Sequence, residues 1–166
     1  MKNEEVIEQK QLSFLTFQLG KESFAIPVTK VIEILEVPPI TKVPKSPEFM
    51  TGVINLRGNV LPVVDTRIKF GLDPMVFSIH TCILVISVEV EGESAQVGAL
   101  VDSVQEVLEV DQNQVGPSPG IGAKYKTEFI EGMIRNQEHF IMLIDMDKVF
   151  STDEIIMINE VENKEE

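Results

Sequence analysis

Glu48-Phe49-Met50-Thr51-Gly52-Val53-Ile54-Asn55-Leu56-Arg57-Gly58-Asn59-Val60-Leu61-Pro62-Val63-Val64-Asp65 is the stretch around which the chain is organised. Two apolar, β-branched runs, 52–56 and 60–64, enclose a polar centre of Arg57, Gly58 and Asn59. Such runs on either side of Gly-Asn predict a β-hairpin, because glycine accepts the positive φ of a tight reversal. Asp65 then offers a side-chain acceptor to the free N–H groups of a short helix over 66–70, and Gly71 suits its end. A plain turn needs no arginine at its tip.

The stretch occurs a second time. Glu128-Phe129-Ile130-Glu131-Gly132-Met133-Ile134 repeats its opening with Glu, Phe, Gly and Ile in the same places. The run 140–144 answers 60–64, Asp145 answers Asp65, and Phe150 answers Phe70, all without a gap. A second pair also aligns. Val28-Thr29-Lys30-Val31-Ile32-Glu33-Ile34-Leu35-Glu36-Val37 matches Val101-Asp102-Ser103-Val104-Gln105-Glu106-Val107-Leu108-Glu109-Val110 at six of ten positions. Composition alone predicts about one identity in twenty. The segments recur in the same order, so the chain carries two copies of one supersecondary unit.

At 166 residues the chain has room for one domain or two mutually dependent halves. Hydrophobic residues make up 43%, Trp is absent and Tyr125 is the single tyrosine, so the core is aliphatic with phenylalanine. A net charge of -13 argues against nucleic-acid or anionic-membrane binding through bulk electrostatics. Much of that charge lies in Glu4, Glu5, Glu8 and 160–166, and the ends 1–11 and 160–166 are expected to fray. Met1-Lys2-Asn3-Glu4-Glu5 does not open a signal peptide, and the apolar run 83–90 is too short to cross a bilayer. Cys82 is the lone cysteine, which excludes an internal disulfide and a cysteine-based zinc site. These features point to a cytosolic protein.

Taken in order, 12–19 and 23–28 form a hairpin about Gly20-Lys21-Glu22, with Pro27 near a strand end. Thr29 suits a single helical turn, and 32–37 alternates like a strand before Pro38 and Pro39 stop it. The proline-rich segment 40–47 is extended, the central hairpin follows, and the first unit ends at Leu72. A linker, 73–80, leads to a second opening hairpin, 81–89 with 94–101, and 104–110 extends it. A long loop, 116–126, precedes the second central hairpin, 132–144, with Asn136-Gln137-Glu138-His139 at its tip. Thr152-Asp153-Glu154 is a second helix start, but no segment shows sustained helical periodicity. The expected fold is all-β with short helices, as two small barrels over about 12–72 and 81–150 within one domain, 12–150.

No catalytic constellation stands out and no cofactor is expected. Asp145 and Asp147 resemble a metal pair, but Asp145 matches the helix-capping Asp65, and no third ligand lies at ligand spacing. A small metal-dependent hydrolase built on these two residues is the reading from another class. His80 lies in the linker and His139 at a tip, no Gly-x-Ser-x-Gly elbow is present, and 116–122 lacks the Lys-Ser/Thr of a phosphate loop. Cys82 sits among apolar neighbours as an inert thiol, and Met133, Met142, Met146 and Met157 suit core packing. Arg57 differs from all of these. Positions shared by both units, such as Gly52, Ile54, Asp65 and Phe70, are what the fold needs; the tips diverge, Leu56-Arg57-Gly58 against Asn136-Gln137-Glu138. Arg57 is therefore free of a fold requirement. Glu33 is its expected ion-pair partner, while the counterpart Glu106 would face Gln137.

Asn55-Leu56-Arg57-Gly58 and its flanks, with 28–34 and 97–104, closely resemble the bacterial chemotaxis coupling proteins of the CheW family, over about 12–150. The resemblance implies two SH3-like five-stranded barrels packed together and a non-catalytic adaptor without metal. It implies two partners: the cytoplasmic tip of chemoreceptors (methyl-accepting chemotaxis proteins) and the regulatory domain of the chemotaxis histidine kinase. It also implies a cytoplasmic protein recruited to membrane receptor arrays, with neither nucleic-acid binding nor direct membrane insertion. Carried over, Glu33 and Arg57 form a polar pair at the interface. Leu15, Val28, Val31, Ile34 and Val101 then line an apolar groove between the units that receives the receptor tip. An adaptor of a related receptor–kinase pathway, such as one for surface motility, shares every one of these motifs.

Overall fold

The computed structural model of the protein describes residues 11–117 and 128–164. The loop 116–126 lies almost wholly outside them, as do residues 1–10. Hairpin chemistry sets the local elements. The strands are β1 (Gln11–Leu19), β2 (Glu22–Pro27), β3 (Val31–Glu36), β4 (Met50–Leu56), β5 (Asn59–Asp65), β6 (Cys82–Val90), β7 (Glu93–Val101), β8 (Ser103–Asp111), β9 (Val115–Gly116), β10 (Ile130–Asn136) and β11 (His139–Ile144). The helices are α1 (Thr66–Lys69) and α2 (Thr152–Lys164). At the first central tip Arg57 and Gly58 both take positive φ, 52° and 88°, the geometry that matches strand twist. Asp65 caps α1 by accepting from the Arg67 N–H at 3.0 Å, and Asp145 accepts from the Asp147 N–H at 3.0 Å.

The strands form two curled sheets, the walls of two SH3-like barrels, with orders β3-β6-β7-β5-β4 and β8-β1-β2-β11-β10-β9. Each has the same plan. β5 runs parallel to β7 with Val63 opposite Gly98, and β11 runs parallel to β2 with Leu143 opposite Ala25. The repeated glycines both sit at bulges, after Met50 and after Ile130. There a crossing segment presses on the strand. A Cβ on Gly132 would lie 2.6 Å from the Gly116 carbonyl oxygen, and one on Gly52 would collide with that of Thr41. Only glycine permits this approach.

The barrels do not follow the contiguous halves 12–72 and 81–150. Hairpin β1–β2 belongs to the sheet of β8, β10 and β11, and hairpin β6–β7 to the sheet of β3, β4 and β5. Each repeat lends its opening hairpin to the other. The link from β7 to β8 is the single residue Asp102, too short for even a two-residue reversal, so β8 runs on into the neighbouring sheet. A core shared by both barrels results, with Phe17, Phe24 and Ile26 meeting Leu84, Ile86 and Val97, beside a smaller cluster within each barrel. Phe70 of the first repeat stacks on Phe129 of the second, with centroids 4.8 Å apart; Phe150 meets Phe49 edge-on at 6.2 Å.

The C-terminal end also departs from expectation. Helix α2 runs through residue 164, well into the segment expected to fray. Ser151 and Glu154 form a reciprocal cap, Glu154 N–H to Ser151 Oγ at 3.1 Å and Ser151 N–H to Glu154 Oε1 at 2.9 Å. Ile155 and Ile158 are fully buried and join the shared core. Ile155-Ile156-Met157 hides the helix in the sequence, because a run of apolar residues carries no clear period.

Candidate functional site

β3 and β4 are the two end strands of the first sheet. The Arg57 guanidinium, at the tip that follows β4, reaches back to Glu33 on β3. Nη1 donates to Oε2 at 3.2 Å and Nη2 to Oε1, a two-pronged pair across the open seam of the barrel. The arginine side chain is 67% exposed and Glu33 27%. Hydrogen bonding from Arg57 holds the Glu33 carboxyl below its ordinary value, and the bond to Glu33 raises Arg57. Arg57 thus lies fixed in direction yet open to a partner. Ile32 and Ile34, which flank Glu33 along β3, are 49% and 46% exposed.

The apolar residues expected to line one groove separate into three environments. Leu15 and Val101 are 5% and 0% exposed, within the shared core, so they shape the surface from below and cannot touch a docked partner. Val28 and Val31 are half-buried at the two ends of a 3-10 turn and pack against that core. Val28 also lines a cleft of about 690 Å3 with Phe14, Pro27 and Leu143. Ile34 alone is well exposed, because residues alternate faces along β3. The alternation also offers Ile32, which the sequence reading passed over.

The carboxylates considered for metal chemistry have structural partners. Asp145 caps a turn, and Asp147 accepts from Lys30 Nζ at 2.9 and 3.0 Å and from the Glu89 N–H at 2.8 Å. Among the described residues no group of three or more His, Cys, Asp or Glu is placed to hold a metal ion. Glu131, neighbouring Asp145, is raised by burial and then by the charge of Asp145. No helix among the described residues is long and apolar enough to cross a membrane.

Residues 13–154 match the model of the CheW-like domain. The chain is 32% identical to the chemotaxis protein CheW of Klebsiella aerogenes over 148 residues, 89% of this chain and 87% of that one. It is 33% identical to the chemotaxis protein CheW of Rhizobium meliloti over 140 residues, 84% and 88% of the two chains. Protein FrzA of Myxococcus xanthus is 28% identical over 142 residues, 84% and 85%. The crystal structure of the scaffolding protein TtCheW from Thermoanaerobacter tengcongensis superposes with a TM-score of 0.74 at 30% identity, covering 87% of this chain and 95% of that one. With its two interleaved barrels and this likeness along nearly its whole length, the chain belongs to the CheW-like family.

Proposed function

We propose that this protein is a non-catalytic adaptor that couples the cytoplasmic tips of chemoreceptors to the chemotaxis histidine kinase, working in the cytoplasm at membrane receptor arrays. The observation that carries this reading is the exposed, two-pronged Arg57–Glu33 pair at the β4–β5 tip. A guanidinium held in direction yet open to solvent is the kind of side chain enriched at protein-binding hot spots. The second barrel builds the corresponding tip with Gln137 at positive φ, so the arginine serves something other than folding. Leu15 and Val101 support that surface from within, while Val28, Val31 and Ile34 contribute its apolar part.

The test is co-sedimentation of the purified chain with receptor cytoplasmic fragments and with the kinase, each alone and together. Recruitment of kinase to receptor only when the chain is present supports coupling. Failure of the chain to sediment with either partner overturns it.

A further inference from the structure

The two repeats share one plan, but a face that a helix covers in one barrel is, among the described residues, bare in the other. In the first barrel α2 lies over β5 and β7. Its Ile155 and Ile158 share a cluster with Phe49, Met50, Val97 and Phe150, all four at most 7% exposed. The helix also ties to the β6–β7 hairpin, with Thr152 Oγ1 donating to Glu91 and Asn159 Nδ2 donating to the Ser94 carbonyl at 3.0 Å.

The repeat carries each of these features to the second barrel. β11 and β2 replace β5 and β7, the β1–β2 turn replaces the β6–β7 turn, and Phe129, Ile130 and Phe70 replace Phe49, Met50 and Phe150. After α1, however, the chain turns away at Gly71 where, after Phe150, it continues into a long helix. Left in place is an open cleft of about 820 Å3, lined by Phe24, Phe70, Leu72, Phe129, Ile130 and Met142. Phe70, Phe129, Ile130 and Met142 are only half-buried, and Leu72 is 41% exposed. Their counterparts Phe49, Met50 and Phe150 are buried in the cluster that α2 joins.

We propose that this cleft is a docking site for an amphipathic helix of a partner protein. That helix lies over β2 and β11 as α2 lies over β7 and β5, and it sets two aliphatic side chains one turn apart among Phe70, Phe129 and Met142. The mode is helix-in-groove, with anchors at i and i+3. The internal counterpart specifies the occupant, since the same supersecondary unit already receives such a helix elsewhere in this molecule. The cleft is separate from the Arg57–Glu33 seam, which lies at the β3 and β4 edges of the other sheet.

The probe is a fluorescein-labelled peptide of the α2 sequence, residues 151–164, titrated with the full chain and read by anisotropy and by the Met142 methyl resonance. Saturable binding that moves the Met142 methyl supports the proposal, provided that it weakens about tenfold or more in Leu72→Asp, in Met142→Glu and with Ile155→Asp/Ile158→Asp in the peptide. Leu72 is exposed, so Leu72→Asp keeps the test open if Met142→Glu fails to fold. Absence of binding up to about 1 mM, or binding that both cleft variants leave intact, overturns it. Self-association that Leu72→Asp abolishes also overturns it, because a second copy then fills the cleft.

Discussion

Arg67 holds Asp102 with two bonds, Nε to Oδ1 at 2.9 Å and Nη2 to Oδ2 at 2.5 Å, joining α1 to the one-residue link between the sheets. The Gly20 N–H adds a third bond to the same carboxylate at 2.6 Å. Burial alone would raise the Asp102 carboxyl, but the Arg67 and Gly20 bonds outweigh it and hold it below its ordinary value; the bond to Asp102 raises Arg67. A carboxylate lowered in the folded state contributes stability above its unfolded pKa, about 3.9, and loses it as pH falls through the folded value. Asp102→Asn is expected to cost about 2 kcal/mol at neutral pH. Urea titrations at a series of pH values check this: the gap between wild type and variant should narrow below pH of about 4. A gap independent of pH would mean that the carboxylate charge is idle.

Arg57→Ala is expected to reduce receptor-dependent kinase activity while leaving thermal unfolding close to wild type. Its pair with Glu33 is exposed, and exposed pairs add little to folding. Arg57→Lys should rescue poorly, since an ammonium keeps the charge but loses the planar fork that spans both Glu33 oxygens. Reconstituted kinase assays beside melting curves check both variants.

Ile34→Asp is expected to weaken receptor binding by about 1–3 kcal/mol, because a desolvated contact would then hold an unpaired carboxylate. Val31→Asp would act on the same surface, but Val31 also packs against the core, so part of its effect falls on stability. Titration calorimetry with a receptor fragment, alongside circular dichroism, separates the two. Unchanged affinity in Ile34→Asp places the contact elsewhere.

Gly132→Ala is expected to destabilise by about 1–3 kcal/mol, because its Cβ would meet the Gly116 carbonyl oxygen and Val115 Cγ1 at 2.6 and 3.1 Å. Gly116→Ala is the matched control. Its Cβ meets nothing nearer than 3.8 Å, and the melting temperature should barely move.

Ile158→Ala is expected to cost about 2–5 kcal/mol, the range for a fully buried isoleucine, and Ile156→Ala well under half of that. Chemical denaturation of both variants tests whether α2 belongs to the core or merely trails from it.

The sequence by itself determined the strands, their turns and the repeat. Apolar alternation, the Arg57-Gly58 tip, the bulge glycines Gly52 and Gly132, and the capping Asp65 and Asp145 are local devices, set by residues near one another in the chain. It also marked Arg57, because a residue that one repeat carries and the other lacks is free of the fold's demands, and named Glu33 as its ion-pair partner. Thr152-Asp153-Glu154 marked the start of α2, although the apolar run behind it concealed how far the helix extends. Only the tertiary structure decided which sheet each hairpin joins. Backbone hydrogen bonds between strands are nearly blind to side chains, so β1–β2 carries no local mark that it pairs with β8 and β11. Tertiary structure likewise sent Leu15 and Val101 into a core shared by both barrels and left Ile34 outside. Burial depends on what the other repeat brings to each face, and the exchange of hairpins settles that.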